Sequence, residues 1–373
     1  MILFYTASKD ATIYLQQPYQ NTGIDEMLEI SKVYYGGTPD MSRVLIQFDT
    51  TEISKSIANL TIPSGSFTAS LQLKITKADE IAASFAIEAY PISSSAFASW
   101  ENGTGTRFDN ITTNGATWYY KNGDDTSTIW NNTYVAGQGA SFNPFTTGSQ
   151  SGLGGTWFTS SVSSQSFQYT IEDINLDITS FVKKWNSGSI VNNGIILKFP
   201  TDKENDSVDY GSIKMFSKET NTIYQPKLVI SYNETITSGS LVDISNFAAS
   251  SSYDVLYRCY SPNLKTAYTQ GQKVSINVDA RELYPIKQFN STFAYQVKYY
   301  LPNEAYYAVI DTLTKEFIIN YSPNTKVLRG LRNNVINLNF SNWAVGRNYT
   351  LLVKSIDTNN EEIFEIGSFD IYK

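Results

Sequence analysis

Ser42-Arg-Val-Leu-Ile-Gln-Phe48 decides the fold class, because it sets Val44, Ile46 and Phe48 two residues apart along one short run. The same spacing returns in Leu71, Leu73 and Ile75, in Phe85, Ile87 and Ala89, and in Leu228, Ile230 and Tyr232. A period of two gives a strand one buried and one wet face, as in antiparallel sheets. Turn-forming clusters separate the runs: Gly36-Gly37-Thr-Pro39, Asn122-Gly123-Asp-Asp125 and Gly154-Gly155. The pattern predicts an all-β protein whose first part is a jelly-roll sandwich.

One segment breaks the period. In Asp177-Ile-Thr-Ser-Phe-Val-Lys-Lys-Trp-Asn-Ser-Gly188, Ile178, Phe181, Val182 and Trp185 fall at i, i+3, i+4 and i+7. That is one helical face, with Asp177 placed to cap it and Gly188 to end it. The spacing predicts a single short helix. Residues 131–168 have no period. They are rich in Gly, Ser, Thr, Asn and Gln, with Phe142, Phe145, Trp157 and Phe158 interspersed. Two readings fit: a binding excursion, or an arm packed on the sheet by its rings.

After Tyr232 the sheet pattern stops. The expected organisation is a jelly-roll domain over 1–235, a linker over 236–247 and a second β domain over 248–373. The second domain has short runs at 253–258, 274–278, 295–301, 307–310, 317–319, 335–340, 349–356 and 364–372, which fit an immunoglobulin-like sandwich. Two hairpin turns are legible, Asp311–Lys315 and Asp357–Glu361. Charge divides at the same place. Residues 240–373 carry 13 basic and 12 acidic side chains, which leaves 15 basic and 23 acidic before them.

Composition narrows the function classes. The 373 residues suit two or three domains, and 41% hydrophobic content builds cores, which argues against wholesale disorder. The sequence has no His, so the usual general base and the commonest zinc ligand are absent. One Cys excludes an internal disulfide. A net charge of −7 argues against broad nucleic-acid affinity. Neither a signal peptide nor an apolar run long enough to span a membrane is legible, so the expected place of synthesis is the cytosol.

Ten short pieces stand in order along the first part: Asp10-Ala-Thr-Ile13; Pro18-Tyr-Gln-Asn21-Thr-Gly23; Leu28; Ser42-Arg43; Phe48-Asp49; Ser99-Trp100-Glu101-Asn-Gly-Thr104; Gly115-Ala-Thr-Trp118; Asp177-Ile-Thr179 leading to Trp185 and Gly188; Asn193-Gly194-Ile-Ile-Leu197-Lys198; and Phe216-Ser-Lys-Glu219 with Pro226-Lys-Leu-Val-Ile230. With them, residues 10–232 resemble a DNRLRE domain, a family of jelly rolls related in shape to carbohydrate-binding modules. Lys218 departs from the family's Arg, and the 131–168 excursion is longer than the family's pattern. Tyr300-Leu-Pro-Asn-Glu-Ala-Tyr-Tyr-Ala-Val-Ile-Asp311 and the Lys315-Glu-Phe that follows resemble Ig-like domains appended to tailed-phage virion proteins. The resemblance places Arg43 and Glu219 on inner or edge strands, which leads us to expect a buried ion pair between them.

Little points to catalysis, and no enzyme activity is expected. Cys259 lies in a strand-like run with no His to activate it and reads as a structural thiol. Carboxylates for glycoside hydrolysis exist, but sequence does not bring two together. Trp100-Glu101 and Trp118 read as loop-to-core packing before a sugar platform. Asn122–Asp125 offers oxygens on a turn but lacks EF-hand spacing, so a solvated turn is favoured over calcium. No cofactor or metal is expected. The expected function is a structural protein of a tailed-phage virion, at the neck, tail, baseplate or capsid surface. It would be made in host cytoplasm and contact other virion proteins and copies of itself, with no nucleic acid or membrane. Phe142, Phe145, Trp157 and Phe158 are the expected partner contacts. The alternative is a carbohydrate-binding or adhesive module with a glycan as partner.

Overall fold

The computed structural model describes residues 1–35, 38–59, 62–93, 99–130, 138–140, 154–234, 241, 243–244, 257–283, 297–356 and 361–373. The chain is an all-β sandwich protein and divides into two compact units. The N-terminal unit comprises Tyr5–Ser64 and Thr68–Val229, and the C-terminal unit takes in Met1–Phe4, Gly65–Phe67 and Ile230–Lys373. This division falls at Ile230, a few residues before the expected linker. Within 236–247 only Leu241, Asp243 and Ile244 are described, and the rest lies outside the described residues.

The first thirteen strands are β1 (Ile2–Tyr14), β2 (Met27–Tyr35), β3 (Thr38–Phe48), β4 (Phe67–Leu73), β5 (Ile75–Asp79), β6 (Ser84–Pro91), β7 (Gln138–Ala140), β8 (Thr156–Phe158), β9 (Ser163–Gln168), β10 (Ile174–Asp177), β11 (Ile195–Lys198), β12 (Gly211–Phe216) and β13 (Lys227–Tyr232). Eleven of them join in one sheet that runs β10-β4-β13-β1-β3-β11-β6-β9, with β2, β12 and β5 branching from it. The pairings are antiparallel, with Ile13 opposite Arg43 and Leu197 opposite Val44. At the centre the burial is continuous: Ala11–Tyr14, Pro39–Ile46 and Ile195–Lys198 are all buried. Alternating side chains can all be buried only when both faces of a sheet are covered. Here Ala11, Ile13, Met41, Leu45 and Ile196 pack against a layer of loops that carries Trp100, Trp118 and Trp130, together with Trp157 of β8.

The expected helix is α2 (Thr179–Asn186), with Phe181, Val182 and Trp185 buried. Asp177 Oδ1 accepts the Thr179 N–H at 2.9 Å, and Gly188 ends the turn at φ +71°. Among the described residues two further α-helices accompany it, α1 (Thr51–Ala58) and the single turn α3 (Thr201–Glu204). α1 inserts only Ile53 and Ile57, a pair too sparse to register as a helical face in sequence.

The C-terminal unit holds β14 (Tyr257–Tyr260), β15 (Ala267–Thr269), β16 (Lys273–Glu282), β17 (Glu304–Asp311), β18 (Phe317–Ile319), β19 (Leu328–Arg329), β20 (Asn334–Asn339), β21 (Asn348–Ile356) and β22 (Glu361–Tyr372). Two sheets, β14-β16-β20-β19 and β15-β22-β21-β17-β18, face each other in the strand order of an immunoglobulin-like sandwich. Aromatic rings fill its core: Trp343 lies 4.9 Å from Tyr349, and Tyr268 4.9 Å from Phe340. The Asp311–Lys315 hairpin forms as expected. Asp311 Oδ1 accepts the N–H groups of Leu313 and Thr314, and Lys315 takes φ +61°. In the run 295–301, only isolated bridges at Tyr299 and Tyr300 form among the described residues.

Candidate functional site: a loop layer anchored by tryptophans

Several of the scattered sequence pieces, around Asp10, Asn21, Trp100, Trp118 and Asn193, meet in the N-terminal unit. Asn21 is their hub. Its Nδ2 donates to the carbonyls of Asn102 and Ala116 at 2.9 Å each, and its Oδ1 accepts from Gly23 N at 3.1 Å and Gly105 N at 2.9 Å. Gly115 has to be glycine: φ is +149°, and a Cβ there would lie 2.5 Å from Asn21 Nδ2. Trp100 Nε1 donates to Asn193 O at 2.8 Å, and Trp130 Nε1 to Thr117 O at 2.9 Å. Buried indoles with satisfied N–H groups pin the loops to the sheet. Side chains also stand in for a missing strand beside β1. Asp10 N donates to Asn102 Oδ1, and Thr12 N to Thr22 Oγ1.

Arg43 lies beneath this layer, and its partner is Glu204, not Glu219. Arg43 Nε and Nη2 donate to Glu204 Oε1 and Oε2 at 2.9 and 2.8 Å, and Nη1 donates to Gly154 O at 2.6 Å. The guanidinium stacks 4.8 Å from the Trp118 ring and 5.4 Å from Trp157. Lys198 Nζ approaches Glu204 Oε2 at 2.9 Å and donates to Phe199 O at 2.6 Å. All three charges are buried. Burial alone would raise the Glu204 carboxyl, but the Arg43 and Lys198 charges and their hydrogen bonds hold it below the usual carboxylate range. Glu219 sits instead on an exposed turn beside Lys218. The correction has a simple cause. The one-turn helix α3 carries Glu204 inward, although Thr201-Asp-Lys-Glu204 reads as a solvated charged run.

Of the four expected contact rings, Trp157 and Phe158 are described. Trp157 is 3% exposed and belongs to the core under the loops, so it is not available to a partner. Phe158 is half-buried, and Phe142 and Phe145 lie outside the described residues. Trp100 and Trp118 are buried, as loop-to-core packing requires. The Asn122–Asp125 turn binds itself: Asp124 N donates to Asn122 Oδ1, and Thr113 Oγ1 to Asp124 Oδ1. Among the described residues no group of three or more acidic, His or Cys side chains could hold a metal. In the other unit, burial pushes the Cys259 thiol well up, which leaves little nucleophilic thiolate.

Sequence reasoning missed the outer surface of the layer. Tyr19 is half-exposed and meets Tyr119 edge-on at 4.9 Å, with Tyr120 at 6.4 Å. Phe108 and Ile111 stand out further, at 85% and 75% exposure. Their loop is clamped by Arg107, which pairs with Glu29, reaches Asp40 at 3.8 Å and lies 4.1 Å over the Tyr14 ring. The backbone N–H of Arg107 is shared between both oxygens of Asp25 at 3.2 Å. Only the bare Tyr-Tyr and Phe spacing could have signalled this surface, and a buried aromatic run looks the same.

Acid titration follows from two carboxyls, Asp10, which is buried, and Asp25, which is half-buried. Burial pushes Asp10 up to about 7, against the pull of the Lys218 N–H bonded to it at 2.6 Å and the Lys218 charge. Burial likewise raises Asp25 to about 6. Such groups bind more protons folded than unfolded. Their stabilising contribution is therefore complete below the unfolded value near 3.8 and is lost as pH rises through about 7. With no His to compete, the thermal midpoint is expected to fall between pH 5.5 and pH 8. Asp10→Asn should flatten that slope. A midpoint that rises over this range would contradict the assignment.

No protein-family model matches the chain, and no curated protein sequence matches it. Among solved structures, a DUF4785 family protein from Legionella pneumophila subsp. pneumophila str. Philadelphia 1 aligns at 10% identity with a TM-score of 0.17. The alignment spans 100% of this chain and 62% of that one, so the chain covers less than two thirds of that protein's length. A similarity this low carries no structural or functional argument.

Proposed function

We propose that the chain is a structural subunit of a tailed-bacteriophage virion, at the neck, tail, baseplate or capsid surface, and that it acts through protein–protein contacts. One observation carries the reading: the loop layer is stiffened from inside by four buried tryptophans while it holds Tyr19, Phe108 and Ile111 in solvent. A rigid scaffold that displays apolar side chains loses little entropy when a partner covers them. The resemblance of the second unit to Ig-like domains of virion proteins supports the same reading, as do the large internal hydrogen-bond networks. The partners would be other virion proteins and copies of this chain. Mass spectrometry of purified particles is expected to find the chain, and antibody against it should label one region of the particle. Particles free of the chain would overturn the proposal.

A glycan-binding reading is favoured by the Tyr19–Tyr119–Tyr120 cluster, whose rings could stack on a sugar. A glycan array probed with wild type and Tyr19→Ala decides it. A signal lost in the variant supports the reading, and no signal removes it.

A further inference from the structure

Phe108 and Ile111, the most exposed apolar side chains of the loop layer, stand among carboxylates. Asp109 follows Phe108 directly, is exposed and accepts a hydrogen bond from Thr106 Oγ1. Two residues after Ile111, the Thr113 hydroxyl donates to Asp124 Oδ1 at 2.7 Å, and Asp125 beside it is exposed as well. On the other side, the Arg107 N–H binds Asp25, whose neighbour Glu26 is exposed. Ile24 N donates to Gly105 O at 3.1 Å, which brings a further exposed apolar residue beside the same loop.

The loop supplies no exposed cation to offset these charges. Residues 91–171 carry four acidic side chains, Glu101, Asp109, Asp124 and Asp125, and two basic ones, Arg107 and Lys121. Arg107 is engaged by Glu29 and Asp40, and Lys121 is buried. Glu101 pairs with Lys9 at 3.4 Å, which leaves Asp109, Asp124 and Asp125 without an ion-pair partner among the described residues. A copy of this surface is repelled by like charge, whereas a surface with Arg and Lys around an apolar centre complements it. Phe108 adds a ring that attracts a guanidinium, as that of its neighbour Arg107 does at 5.2 Å.

We propose that the Phe108–Ile111 surface docks on a basic partner, an apolar patch edged with Arg and Lys on a different protein, and not on the same surface of another copy. The inference rests on the reading of this surface as a protein contact and adds the chemistry of what it meets. The test uses the full chain and three immobilised synthetic peptides of equal length and apolar content, bearing Arg and Lys, Glu and Asp, or Ser and Gln. No particle enters the assay, so its outcome is separate from whether virions contain the chain. Asp109→Asn, Asp124→Asn and Asp125→Asn are combined in one variant, because amides keep the acceptor oxygens that Thr106, Thr113 and Ser127 use. Glu52→Gln, Glu172→Gln and Asp202→Asn, exposed acids elsewhere in the N-terminal unit, make a control of the same net charge. The expected result is binding of the basic peptide alone, weakened about fivefold or more in the loop variant and in Phe108→Ser, and unchanged in the control. Equal weakening in the loop variant and the control would mean that overall acidity drives binding, and would overturn the proposal. So would a neutral or acidic peptide bound as tightly as the basic one, or a wild-type chain that binds none of the three.

Discussion

Replacing Glu204 by Ala is expected to cost roughly 3–5 kcal/mol of N-terminal unit stability, because it leaves Arg43 and Lys198 buried together without a counter-charge. Arg43→Ala should cost less, since Glu204 keeps Lys198 at 2.9 Å. Glu219→Ala should change little, within about 1 kcal/mol, as for most exposed ion pairs. Urea unfolding of the three variants gives the order directly. Equal costs for Glu204→Ala and Glu219→Ala would contradict the pairing seen here.

Asn21→Ala is the second large effect. It leaves the N–H groups of Gly23 and Gly105 and the carbonyls of Asn102 and Ala116 without their partner in buried surroundings. Each unsatisfied buried group costs about 1–3 kcal/mol, so the variant should lose roughly 3 kcal/mol or more. The loss should be local. Hydrogen exchange is expected to speed up in residues 20–25 and 99–118, while β3 and β11 stay protected. Uniform acceleration across the sheet would mean that Asn21 does not act through the loop layer.

The alternating runs around Leu71 and Phe85 were legible because burial in their strands has a period of two. The runs around Val44 and Leu228 also became strands, although Leu45 and Val229 between their apolar residues are buried too. The helix at Thr179–Asn186 was legible because four apolar residues share its face. Arg43 was legible as a buried cation, but its partner was not. Glu204 follows three charged or polar residues, and only the one-turn helix after Pro200 turns it inward. Trp157 was expected to meet a partner. It sits in a Gly- and Ser-rich stretch with no period, which left a binding excursion and an arm packed on the sheet both open, and it packs against Tyr90 and Lys198. Asn21 stood in the sequence as one residue of the piece Pro18–Gly23. Three of its four bonds join segments about 80–95 positions apart, and no local pattern encodes that.

The most direct test of the account is incorporation into particles. A chain carrying Tyr19→Ser, Phe108→Ser and Ile111→Ser, all at exposed positions, should fold with a thermal midpoint near that of wild type. Supplied in competition with wild type during particle assembly, it is predicted to be excluded from purified virions. Incorporation at wild-type levels would contradict the claim that the outer surface of the loop layer holds the chain in the particle.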